Sequence, residues 1–303
     1  MTVQHELMPG LSLEVGYVGN RGYNQPFNKR LDASLPGTGT AGIPLNQKFG
    51  RTAQTTLRAY GVDSYYNSLQ AQLEKRFSHG ISFGASYTWS RSTDYTSNNG
   101  GLNNPIFLEL NYGPSDFDRT HALTINHTLE LPFGRNKAYL NKGPLAVILG
   151  DWQLNGIFSG YSGRPFTVSM SNAALNGGPG NALRPDQLRQ PEVSGIVGPG
   201  TTWFDVTAFA NPIPAGATPR YGTAGRNSLR GPSYLNYDFS IFKSFQIMEG
   251  KRLEFRTEFY NLTNTPKFAQ PNGNFSQTTF GVVNSTLNGV GEREVQFALR
   301  FLF

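Results

Sequence analysis

The side chains capable of chemistry are present in this chain, but they are not arranged as any chemistry requires. The four histidines, His5, His79, His121 and His127, are scattered without metal-ligand spacing. There is no cysteine, which removes thiol catalysis, thiolate metal sites and any disulfide framework. Gly160-Tyr-Ser-Gly163 sets a serine among glycines, yet a nucleophile elbow needs Gly-x-Ser-x-Gly, and Ser162 lacks that flanking. Gly177-Gly-Pro-Gly180 could crowd amides around a phosphate, but it has no strand–helix setting and no following lysine. Phe117-Asp-Arg-Thr-His121 puts an acid and a base just before an alternating segment. This pair can form a rim salt bridge or loop anchor, or it can contact a ligand. No Ser/His or paired-acid constellation converges, so the chain does not read as an enzyme. No catalytic, cofactor or metal residue is assigned, no cofactor is expected, and no residue is singled out as ligand-binding.

The elements that must carry these residues are strands. Leu11, Leu13, Val15 and Tyr17 alternate with Ser12, Glu14 and Gly16, after a stub at Val3 to Leu7 and a Met8-Pro-Gly10 turn. Leu69, Ala71, Leu73 and Phe77 alternate with Gln70, Gln72, Glu74 and Arg76. Across a Ser78-His-Gly80 turn, Ile81, Phe83, Ala85, Tyr87 and Trp89 do the same against small polar residues. Further strands are predicted around Leu123 to Leu131, Trp152 to Ser159, Asn236 to Ile241 and Arg252 to Phe259. Met248-Glu-Gly250 turns between the last two. The predicted loops are Gly19 to about Asp63, from beyond Ser90 to about Arg119, about Gly163 to Pro232, and about Asn264 to Gly291. A moderate connection runs from Pro132 to Gly150. Asn261, Asn264 and Pro266 read as a strand terminator with its turn.

Strands of about 9–13 residues match the length needed to cross a bilayer at a tilt. Their connections alternate short and long, the parity expected when short turns face one compartment and long loops the other. One face is Leu, Ile, Val, Phe, Tyr and Trp. The other carries Glu74, Arg76, Glu130, Asp238, Arg252, Glu254, Arg256, Glu258, Glu294 and Arg300. Charges at that density would be costly in a dry sandwich core and fit a wet lumen. Lys75 and Lys243 fall on the apolar side near the short turns, where they can snorkel to the interface. His127 falls on that side near mid-strand, without an evident reason.

Composition agrees. Of 303 residues only 15% are charged, against about 25% usually, while 13% are aromatic. The mean hydropathy is −0.39, and the longest aliphatic run is Leu145-Ala-Val-Ile-Leu149. A spanning helix is therefore not expected, whereas alternation hides a spanning strand from such averages. The net charge of +6 is spread without a Lys/Arg run, so no nucleic-acid partner is expected. The N-terminal ten residues hold no apolar signal-peptide core.

The last strand, Arg293 to Phe303, alternates to the end. Val295, Phe297, Leu299, Phe301 and Phe303 share one face. It resembles the C-terminal signature of bacterial outer-membrane β-barrels. Leu11 to Gly22, Phe117 to His121, Phe255 to Pro266 and this terminal strand together resemble TonB-dependent receptors, most closely the Oar-like branch. The resemblance spans the chain but only the C-terminal portion of such a receptor, and it implies a 22-stranded barrel closed by an N-terminal plug. Eight clear strands plus the stub make an odd number, while single-chain bacterial barrels are even.

The expected fold is thus all-β: an antiparallel up-and-down transmembrane barrel, as a partial section of about 8–9 strands. Residues 1–303 form that section with no plug domain and no signal peptide. The expected function is uptake of a bulky nutrient (glycan, siderophore or peptide) at the outer membrane. The alternative is a small non-transporting barrel acting through its loops as adhesin or scaffold. The implied partners are outer-membrane lipid, the barrel assembly machinery through the strand ending at Phe303, and the TonB complex only through a plug not present here.

Overall fold

A computed structural model describes residues 1–97, 101–134, 137–171, 183–198, 200–213, 217–289 and 291–303. The Gly177–Gly180 glycine cluster lies outside them. Nine antiparallel strands follow one another in chain order across a single sheet: β1 Thr2–Met8, β2 Leu11–Arg30, β3 Thr56–Ser78, β4 Ile81–Asp94, β5 His121–Glu130, β6 Trp152–Tyr161, β7 Tyr234–Met248, β8 Lys251–Tyr260 and β9 Glu294–Leu302. A two-residue strand, Gly113–Pro114, adds to the far end of β4. Among the described residues β1 pairs only with β2 and β9 only with β8, so the sheet stays open.

The register bears out the two faces. Leu73, Ala85, Ile125, Phe158 and Tyr237 form one cross-strand row. The next row, on the opposite face, holds Glu74, Gly84, Asn126, Ile157 and Asp238. Farther along, Glu254 lies opposite Arg300 and pairs with Arg256, the charge ladder expected of a wet lumen. Slipping any strand by one residue would send charges into lipid, so the alternation fixes the register. The β3–β4 turn is held by His79 and Gly80, both at positive φ (54° and 80°), as a two-residue hairpin turn requires.

Three sequence expectations are corrected. The stub before Leu11 is a complete strand, β1, and forms the sheet's first edge. The loop expected from Gly19 to Asp63 is mostly strand: β2 runs on to Arg30 and β3 starts at Thr56. This extension stands beyond the apolar belt, and of its apolar side chains only Phe27 and Val62 are buried, against Leu102, so it carries no period-two signal. Its register breaks between Gly22 and Gln25 and again before Pro26, which has no N–H to donate to the ladder. Strands of up to 23 residues thus exceed the 9–13 expected.

Lys243 does not snorkel. It is 3% exposed, and its Nζ donates to the carbonyls of Ile148 at 2.9 Å and Gly150 at 2.5 Å. His127 stays on the apolar face, and its Nε2 meets the Tyr237 hydroxyl at 2.9 Å across the intervening strand. Gly156 lies between them, and a Cβ there would come within 2.4 Å of His127 Nε2, so only glycine leaves room for this bridge. A polar pair satisfied in this way is tolerable on an apolar face.

A small apolar cluster of Phe27, Val62 and Leu102 sits on the β2–β3 extension, but the main apolar core of the described residues is not in the sheet. Phe166, Val168, Phe204, Ala208, Phe209, Ala224, Leu229 and Phe280 pack together in the loops beyond β6 and β8. Phe280 meets Phe204 and Phe209 edge-on, with ring centroids at 5.3 and 5.8 Å. The long loops therefore form a folded layer over one rim of the sheet. Among the described residues, no helix is long and apolar enough to cross a membrane.

Candidate ligand-binding mouth

The loop layer is stapled to the strand ends by Arg226-Asn-Ser-Leu-Arg230. Arg226 Nη1 donates to Asp94 Oδ1 at 2.6 Å and to the Asp94 carbonyl at 3.0 Å. Its Nη2 reaches Asp116 Oδ1 at 2.9 Å and Ser97 Oγ at 3.1 Å. Asn227 holds a left-handed backbone (φ 52°), and its Nδ2 donates to the Pro114 carbonyl and to Asp116, both at 2.7 Å. Arg230 pairs with buried Asp118, which also accepts the Ser92 amide at 2.6 Å. Arg184, held below its usual range by burial and by the Arg226 charge, donates to the Leu110 carbonyl at 2.6 Å.

Phe117-Asp-Arg-Thr-His121 therefore acts as a loop anchor, but its acid and base do not pair with each other. Asp118 goes to Arg230, Arg119 donates to the Ser162 carbonyl, and His121 Nδ1 meets the Tyr87 hydroxyl at 2.8 Å. Ser162 is structural: its Oγ accepts the His121 amide at 3.0 Å. Asn261 and Asn264 (φ 53° and 50°) turn the chain after β8, and Asn261 Oδ1 accepts the Thr265 amide at 3.0 Å. His5, His79, His121 and His127 are not brought together, and the described residues contain no group of three His, Asp or Glu able to hold a metal ion.

Beside this staple, on the charged face of the sheet, a pocket of about 330 Å³ opens between the ends of β6 and β7 and the loops. Tyr161 and Tyr234, cross-strand partners with rings 5.6 Å apart, form one wall. Arg119 and Arg164 border it, with Ser159, Phe268 and Gln270. Burial first, then the charges of Arg164 and Arg230, hold the Arg119 guanidinium below its usual range. An anion placed there would relieve that repulsion and gain charge-assisted hydrogen bonds. A second hollow of about 650 Å³ shares Arg164, Gln270 and Leu287 and continues past Asp116, Asn227, Asn272 and Asn274. The arrangement can stack a flat or ring-shaped group on tyrosine, hold acidic groups with arginine, and bond hydroxyls and amides along the asparagines. Of these residues the sequence singled out only Arg119. Tyr161, Arg164 and Tyr234 come together through pairing of distant strands.

The layer should loosen in acid. Arg220 holds the Asp186 carboxyl below the usual 3.8, and Arg30 does the same for Asp32. Because both folded values are depressed, these groups stabilise the layer above pH 3.8. That stability is lost as the pH falls through their folded values. Pepsin should therefore leave the loops intact near pH 5 and cut them progressively below about pH 4. Equal protection at both ends of that range would refute the linkage. Burial pushes the Tyr221 hydroxyl the other way, up to about 12.

A meander with one lipid-facing surface, a charged inner surface and a folded loop layer at one rim defines an outer-membrane β-barrel protein. The chain belongs to the outer membrane beta barrel domain family, whose model matches residues 1–296. It resides in the outer membrane; in bacterial barrels short turns face the periplasm and long loops the exterior. No curated protein matches it in sequence. Among solved structures it is similar to the outer membrane transporter YddB from Escherichia coli, at 10% identity and a TM-score of 0.50. That match covers 99% of this chain and 31% of YddB, so the chain spans about a third of the transporter's length. Pseudomonas aeruginosa FpvA bound to a heterologous pyoverdine–iron complex aligns at 12% identity and a TM-score of 0.45, over 99% of this chain and 26% of FpvA.

Proposed function

We propose that residues 1–303 are the C-terminal barrel section of a TonB-dependent receptor of the Oar-like branch. That receptor imports a bulky nutrient (a glycan, siderophore or peptide) and catalyses no reaction. The observation that carries this is the open sheet. The edge amides of β1 and β9 would lie in lipid without partners at a cost of several kcal/mol each, so further strands must complete the cylinder. The mouth pocket, with its two tyrosines and two arginines, gives the nutrient its outer binding site. A plug belonging to the same receptor, and not within residues 1–303, couples it to TonB. The barrel assembly machinery engages the last strand, ending at Phe303.

The test is uptake by cells carrying the complete receptor in its outer membrane. Labelled glycans, ferric siderophores and peptides are offered with and without an uncoupler. One class should enter, and the uncoupler should stop it. Arg119→Ala with Arg164→Ala should weaken its binding about tenfold or more, the loss of charge-assisted bonds, while the receptor stays folded. Deleting Phe303 should sharply lower the inserted fraction. A reading frame with no plug-coding segment upstream, together with uncoupler-insensitive binding, would favour a small barrel acting through its loops.

A further inference from the structure

The connection between β5 and β6 carries a feature that import does not use. It contains a six-residue helix, Pro144–Leu149, which packs on the lipid-facing side of the sheet and not under the lumen. Two residues of the apolar face hold it there. Trp152 Nε1 donates to the Ile148 carbonyl at 3.1 Å, and Lys243 Nζ donates to the Ile148 and Gly150 carbonyls. Trp152, Lys243, Phe255 and Leu299 form one row of that face. Lys243 Nζ also lies 5.0 Å from the centre of the Trp152 ring and 4.9 Å from that of Phe245. These donors satisfy carbonyls that the helix end would otherwise leave bare.

The helix turns only Ala146 inward, and it exposes Leu145, Val147, Ile148 and Leu149, with Ile148 at 62%. In water this would be an unexplained apolar patch. At this position it continues the lipid-contacting surface of the strands at the level of the short turns. Exposed Lys142 lies just before the helix and Trp152 just after it, the residue types that anchor a chain at a headgroup boundary.

We propose that Pro144–Leu149 is a phospholipid-binding element embedded in the periplasmic leaflet. Its aliphatic side chains lie among the acyl chains and Lys142 meets the phosphates. Lys243 and Trp152 position it by tying its C-terminal carbonyls to the barrel wall.

Nitroxide labels at single cysteines test this in the complete protein, in a cysteine-free background, folded into phosphatidylethanolamine–phosphatidylglycerol vesicles. The sites are Ile148→Cys, Leu123→Cys as a lipid reference, and Phe49→Cys, 74% exposed in the outer loops, as a water reference. The ratio of oxygen to nickel-chelate accessibility at position 148 should match that at 123 and exceed that at 49 severalfold. Lys243→Met should shift it toward the value at 49, while heat-modifiability on a gel reports that the barrel is still folded. Nickel access at 148 equal to that at 49 would overturn the proposal by showing an element in water. Loss of access to both reagents would overturn it by showing a protein cover.

Discussion

Ile125→Arg should destabilise the folded protein by about 2–4 kcal/mol, while Thr124→Arg, one residue away, should be mild. Ile125 stands mid-strand in the row Ala85, Ile125, Phe158 and Tyr237, on the face that meets lipid. A guanidinium there must lie in hydrocarbon or drag water inward. Thr124 stands in the row Ser86, Thr124, Ser159 and Asn236, which faces the wet interior, where an arginine keeps its hydration and finds acids of the charge ladder. Leu123→Arg should behave like Ile125→Arg, because Leu123 lies two residues along on the same face. The comparison is made by folding each variant into lipid vesicles and reading the heat-modifiable fraction on a gel. Equal losses at 124 and 125 would show the two faces to be interchanged.

The strands in the membrane were legible because lipid on one side and water on the other write a period of two into every crossing. The same reasoning explains what was not legible. Above the membrane only Phe27 of β2 and Val62 of β3 are buried, against Leu102, and Asn20 to Arg30 has no apolar stripe to reveal the extended hairpin. The loop core draws Phe166, Phe204, Phe209 and Phe280 from segments far apart in the chain, with no periodicity to link them. His127 looked misplaced in its own strand and is explained only by Tyr237, 110 residues away. Lys243 likewise depends on the carbonyls of a helix 95 residues earlier. Of the mouth pocket, Phe117-Asp-Arg-Thr-His121 offered Arg119 because an acid and a base beside a strand start stand out. Tyr161 lay inside Gly160-Tyr-Ser-Gly163, a motif weighed for its serine, and its value comes from standing opposite Tyr234.

Arg226→Ala should release the loop layer from the strand ends at a cost of about 3–5 kcal/mol, the range for removing one partner of a buried ion pair. The side chains of Arg226 and Asp94 are 4% and 6% exposed, so neither finds water when the other is removed. Asp94 would keep Ser97 Oγ at 2.8 Å. Its Oδ1 and its own carbonyl would lose their guanidinium donor, as would the Asn111 carbonyl. Asp116 behaves differently: its side chain is 58% exposed, so water replaces much of what Arg226 gave it, and Asp116→Ala should cost far less. The strands do not depend on this staple, so the damage should stay in the loops and leave the membrane-crossing sheet intact. Hydrogen exchange in the folded barrel separates the two regions. Protection should fall in the loop layer by the factor that 3–5 kcal/mol implies, with amides of β5 to β8 unchanged. Arg226→Lys should recover only part of it, since an ammonium cannot span Asp94, Ser97 and Asp116 as the planar guanidinium does. Loop protection unaltered in Arg226→Ala would show that the aromatic cluster around Phe204 holds the layer without the ion pair.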